Sequence, residues 1–238
     1  MSTMRKLLNT AMLLFAVLMT ACTTPDTWEL VSKDNNIRFV LENREEKGEA
    51  NLSYSVYYKD TVAVEKSLLG LMMDNCEYGK AAQFVSASAV KDIHDAYQLK
   101  SGKQLSTADE CREQTFTFRS KEGKQFNLIV RAYSDGVAFR YGFPEADGQM
   151  HTIQTEHTEF AVPVNGKAWI HPYDWNERHK PSYEQYCRNE IDIRSDCGHG
   201  RGWAFPMLFN TNGVWMMITE AHLDGSYPAT VSYTHLRA

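Results

Sequence analysis

The 238-residue chain lacks most of the short motifs that mark a reaction centre. No G-x-S-x-G elbow raises a serine nucleophile, and no P-loop lysine follows the glycine cluster Gly198-His199-Gly200-Arg201-Gly202. That cluster therefore reads as a flexible turn. Basic charge is also scarce: 25 Lys and Arg stand against 30 Asp and Glu, a formal net charge of −5. Without a basic stripe to neutralise phosphates, nucleic acid is not an expected partner. His171 and His179 are flanked by Asp174 and Glu177, but no ligand pair has a zinc-site spacing, so both histidines read as surface imidazoles. Nothing near Cys187 and His199 would hold a thiolate down in pKa, so they make no nucleophile pair. Internal repeats and low-complexity segments are missing too.

Long hydrophobic runs are absent as well, and the one apolar stretch, residues 11–19, is too short to span a bilayer. Preceded by Arg5 and Lys6, it reads as a targeting segment. Met19-Thr20-Ala21-Cys22 resembles a bacterial lipobox, in which Cys22 is lipidated and becomes the first mature residue. The alternative is an ordinary secretory peptide cut at Ala21. Either route exports the chain, so the expected location is the periplasm or outer membrane, with contact to the membrane only through a lipid anchor. Beyond Cys22 lie Cys76, Cys111, Cys187 and Cys197. Export permits disulfides, and Cys187 with Cys197 is the first pair to consider; small buried thiols are the alternative.

What the sequence does have is period two. Phe126, Leu128, Val130 and Ala132 alternate with Asn127, Ile129, Arg131 and Tyr133, and after Ser134-Asp135-Gly136 the alternation resumes through Val137, Phe139, Tyr141 and Phe143. This predicts a hairpin, with the Asp-Gly pair supplying positive φ at the reversal and Pro144 ending the second strand. Further strands are expected over 28–31, 37–42, 52–58, 61–64, 115–119, 159–162 and 214–219, with Asn212-Gly213 closing another hairpin. Residues 87–99 and 182–189 read as short helices. Many short strands at regular spacing place the chain in the all-β class, as a large antiparallel β-sandwich.

The phrase NLIVRAYSDGVAFRYGFP at 127–144 resembles the hairpin of the N-terminal domain of glycoside hydrolase family 97. So do Ser32-Lys33-Asp34-Asn35-Asn36-Ile37, the strand at 52–58 followed by Lys59, Ser67-Leu68-Leu69-Gly70-Leu71, Trp169-Ile170 and Ile218-Thr219-Glu220-Ala221, all in the family's order. After the signal peptide over 1–22 and a short tether over 23–27, the resemblance implies a galactose-mutarotase-like sandwich over 28–230. Residues 231–238 leave the family pattern and are expected to be a non-native tail.

The family places a (β/α)₈ catalytic barrel after this domain, acting on α-glucosides or α-galactosides with the help of calcium. The chain's expected partners are thus its own barrel and an α-linked oligosaccharide. In the family, the loop after the Trp169-Ile170 strand lends one glutamate to that calcium. The match here is Glu184, in Pro181-Ser182-Tyr183-Glu184-Gln185-Tyr186, with Glu177 as the second candidate. A loop carboxylate suits a hard cation that takes oxygen ligands in flexible geometry. No catalytic residue is expected within the chain itself. Trp169, Tyr173, Trp175, Tyr183 and Tyr186 either line a sugar subsite or pack beneath the loop, while Glu220 reads as structural. The other reading of the whole chain is a stand-alone, non-catalytic carbohydrate-binding lipoprotein.

Overall fold

The computed structural model describes residues 26–46, 49–145, 148–173, 185–198, 202–221 and 231–232. In chain order the strands are β1 (Thr27–Val31), β2 (Ile37–Glu46), β3 (Glu49–Tyr58), β4 (Thr61–Leu68), β5 (Leu71–Met73) and β6 (Glu77–Tyr78). Next come β7 (Gln83–Ala87), β8 (Lys91–Gln98), β9 (Ser106–Arg119), β10 (Gln125–Tyr133), β11 (Val137–Gly142) and β12 (Ile153–Glu156). The last are β13 (Gly166–Pro172), β14 (Arg188–Asp192), β15 (Trp203–Thr211), β16 (Val214–Ile218) and β17 (Val231–Ser232). Their pairings are antiparallel, and no helix occurs among the described residues.

Apolar alternation becomes alternating burial. Along β10 the residues Phe126, Leu128, Val130 and Ala132 are fully buried, and each neighbour between them is partly exposed. On β2, Phe39 and Leu41 do the same. A sheet ordered β1-β2-β3-β4 packs these residues against a second, ordered β11-β10-β9-β7 with β8 also on β9. The main core lies between them, contributed by Leu41, Leu52 and Tyr54 from one side and Phe116, Phe118 and Leu128 from the other. Each such buried side chain contributes about 1.5–3 kcal/mol of transfer free energy. A three-stranded sheet β12-β5-β6 adds Leu71 and Tyr78 to this core. The fourth sheet, β14-β13-β15-β16 with β17 also on β15, encloses a smaller core around Ile170, Trp203 and Phe209. Phe160 and Met216 pack against both cores and join them. This is the antiparallel sandwich the strand pattern predicts.

Asn212 and Gly213 close the β15–β16 hairpin at φ 51° and 77°, with Thr211 opposite Val214. Two positive φ values in a two-residue loop are what the strand twist needs, and Gly at the second position takes its value without steric cost. Gly213→Val is expected to cost about 1–2 kcal/mol, because a β-branched residue is strained there. A lowered thermal midpoint, with the Asn212→Gly variant near the parent, is the result to look for.

Several expectations need correction. Residues 87–99 are not helical: β8 runs alongside β9, from Lys91 opposite Glu113 to Gln98 opposite Ser106. The described part of 182–189 is extended and enters β14. Segment 159–162 makes only an isolated bridge, Ala161 with Glu65, although the Glu159 amide also donates to the Leu68 carbonyl at 2.9 Å. At the hairpin of 125–144, neither Asp135 nor Gly136 has positive φ. The Tyr133 amide donates to the Gly136 carbonyl at 2.8 Å, so Ser134 and Asp135 make the corner. Apart from these corrections, Val231 and Ser232, the described residues of 231–238, pair as β17 with Ala204 and Trp203.

Candidate functional site

The fourth sheet carries the described residues on both sides of 174–184, the segment that contains Glu177 and Glu184. β13 ends at Pro172, opposite Trp203, and the Tyr173 amide donates to the Gly202 carbonyl at 3.0 Å. The chain returns as β14, with Arg188 opposite Ile170. The Arg188 guanidinium donates to the carbonyls of Asp196 at 3.2 Å and Cys197 at 2.9 Å, and sits 5.1 Å above the Trp203 ring. This clamp fixes where the loop leaves and rejoins the sheet. Glu184, Glu177, Trp175, Tyr183 and His179 lie outside the described residues, as do Cys22 and His199.

Of the remaining candidates, His171 is buried, not on the surface, and its Nδ1 lies 3.3 Å from the Pro172 carbonyl. The cause is a register shift between Trp169 and His171, which puts Ile170 and His171 both inside. Tyr173 is buried, whereas Tyr186 is almost fully exposed. Trp169 packs on Trp215, ring centroids 4.8 Å apart. Cys197 is buried in the smaller core while Cys187 is exposed, and the structure does not join them as a disulfide. The Cys76 thiol lies 3.0 Å from Ser120 Oγ and 3.3 Å from Glu122 Oε2, and burial pushes its pKa up. A thiol held protonated in this way is not a nucleophile.

A cleft of about 2010 Å³ lies between β3–β4, β11 and β16. The partly exposed Val56, Val137, Phe139 and Phe160 line it, and the buried core residues Leu52 and Tyr54 lie behind them. Tyr54 and Phe139 are 5.2 Å apart and Phe139 and Phe160 6.4 Å, spacings within the attractive range for aromatic pairs. The Tyr54 hydroxyl donates to the Glu159 carbonyl at 2.8 Å, and burial raises its pKa, so it stays a neutral donor. Among the described residues, β11 pairs only with β10 and β16 only with β15, so each presents a free edge. No group of three or more His, Cys, Asp or Glu that could hold a metal occurs among the described residues. Charged and polar side chains, Arg140, Glu156 and His157 among them, line the rest of the cleft. Sequence reasoning missed it, although the alternation of Leu52, Tyr54 and Val56 carried the signal for one wall.

The glycosyl-hydrolase 97 N-terminal family matches residues 30–233. A probable retaining alpha-galactosidase from Streptomyces bingchenggensis (strain BCW-1) is 28% identical over 166 residues, 70% of this chain and 24% of that protein. The crystal structure of a beta-arabinopyranosidase superposes with a TM-score of 0.79 at 25% identity, over 87% of this chain and 33% of the other. A family 97 enzyme from Pseudoalteromonas sp. strain K8, solved with panose, superposes with a TM-score of 0.64 at 22% identity, over 78% of this chain and 27% of the other. The chain thus spans about a quarter to a third of the length of these relatives. A match over most of the described sandwich leaves one assignment: the chain belongs to the glycosyl-hydrolase 97 N-terminal family.

Proposed function

We propose that this sandwich is the N-terminal part of an exported α-glycosidase, anchored through Cys22, that braces a catalytic barrel and lends it one calcium ligand. The cleft carries the reading: an apolar hollow of about 2010 Å³ between two free edges is a surface made for more polypeptide. The names of the relatives, a probable retaining alpha-galactosidase and enzymes solved with panose or acarbose, favour an α-linked oligosaccharide as substrate.

Glu184 is the residue that would hold the calcium, with Glu177 second. The described residues on either side of 174–184 are held to the sheet, Tyr173 by the Gly202 carbonyl and Arg188 by the Cys197 carbonyl. Calcium takes six to eight oxygens, so the barrel must supply the others. Bound there, the ion would stabilise negative charge on oxygen. The chain's own part is to position the donor, through the Arg188 clamp and the Tyr173 hydrogen bond. Acid and base carboxylates belong to the barrel, and their separation decides between inversion and retention.

The test is release of nitrophenol from nitrophenyl α-glucoside and α-galactoside. The 238-residue chain is expected to release none. A polypeptide continuing through the barrel is expected to do so with calcium, and Glu184→Gln there to raise the calcium concentration needed for half-maximal rate, an effect Glu177→Gln lacks. Calcium-dependent turnover by the short chain would overturn the proposal.

A further inference from the structure

The outward face of the fourth sheet is not an ordinary charged surface. Antiparallel register sets Asp192 opposite Lys167, Lys167 opposite Asn210, and Asn210 opposite Trp215, forming one row across β14, β13, β15 and β16. Directly opposed residues share a face, so the four side chains stand side by side. Asp192, Lys167 and Trp215 are exposed, and the buried Ala168 and Phe209 next to them in sequence confirm that this row points away from the core. The adjacent row is Trp169, Leu208 and Met217. Trp215, 60% exposed, leans on Trp169 at 4.8 Å with the rings 38° apart, so the indole is propped in place.

An exposed indole costs apolar hydration, and one braced by a second indole loses little rotamer freedom when a ligand covers it. Beside it stands the Asn210 carboxamide, which both donates and accepts. The charged groups in the row, Lys167 and Asp192, are paired with each other at 2.6 Å, so the row offers no net charge. A flat apolar plate, an amide and a self-neutralised ion pair together match an uncharged polyol ring better than an anion or a cation. We propose that this face binds a pyranose ring of a neutral oligosaccharide, stacked on Trp215 and hydrogen-bonded by Asn210. Trp215 also borders the cleft, but the site needs neither the barrel nor calcium, so sugar binding by the 238-residue chain is tested separately from the function proposed above.

The test is a titration of the 238-residue chain at submicromolar concentration with maltotriose and, separately, raffinose, read by tryptophan fluorescence. A saturable change is expected with at least one sugar. Trp215→Ala, an outward-facing change, is expected to keep the thermal midpoint but weaken affinity about tenfold or more, the equivalent of losing one well-placed stacking contact. Asn210→Ala is expected to weaken it about threefold to tenfold, one hydrogen bond's worth. An absence of saturable response to either sugar, or Trp215→Ala within about twofold of the parent, would overturn the proposal. So would a self-association that Trp215→Ala abolishes in the absence of any sugar response, since the face would then be a protein interface.

Discussion

Phe118→Ala is expected to bring the domain close to unfolding. The ring is fully buried, 5.6 Å from Phe126, 5.8 Å from Phe84 and 5.9 Å from Trp28. Trp28 lies in the first sheet and the other three in the second, so one side chain ties the two layers of the sandwich together. Removing a phenyl ring from such a place loses its transfer free energy and leaves a cavity, about 3–5 kcal/mol in all. Domains have roughly 5–15 kcal/mol to lose. Phe118→Leu keeps much of the volume and is expected to cost less than half as much, about 1.5 kcal/mol. Guanidinium unfolding should show a large drop in midpoint for the alanine variant with an unchanged slope. A loss below about 1 kcal/mol would mean that the two sheets do not pack through this ring.

How much of this was legible in the sequence depended on whether burial was one-sided. β2, β3, β10 and β11 each press one face on the core, so their apolar residues fall at every second position and announce themselves. β8 does not: nearly all its residues, Lys91 to Gln98, are exposed, and no hydrophobic period separates strand from helix. What makes it a strand is its ladder with β9, a contact that composition does not show. His171 was misplaced for a related reason. A single irregularity in register inverts the in–out alternation, and nothing in Trp169-Ile170-His171 marks it. Asn212-Gly213 could be read because its backbone demand is met by those two residue types, whereas Ser134-Asp135-Gly136 turns without positive φ. The cleft was hidden for a different reason. Its walls come from β3, β11 and β16, far apart in sequence, so it exists only once the sheets are assembled.

That cleft leads to the other large effect: expressed as these 238 residues, the chain is expected to bind hydrophobic dye strongly and to self-associate reversibly above micromolar concentration. β16 reads Val-Trp-Met-Met-Ile, with no charge and no proline, and its outer edge has no partner among the described residues. Proteins blunt such edges with lysine, proline or a bulge, and an uncharged edge beside an apolar hollow is a template for another strand. Met217 is 61% exposed on this strand, so Met217→Lys adds a charge there without emptying either core. It is expected to move sedimentation toward the monomer and raise the association threshold about tenfold, since a buried unpaired lysine at a sheet edge costs more than 1.4 kcal/mol. Dye binding should persist in that variant, because the partly exposed Val56, Val137 and Phe139 still line the hollow. Under the proposed bracing role, it should fall when the polypeptide extends through a barrel that packs over the hollow. A parent chain that stays monomeric at high concentration and binds no dye would show that the cleft closes on itself, and the bracing role would lose its structural basis.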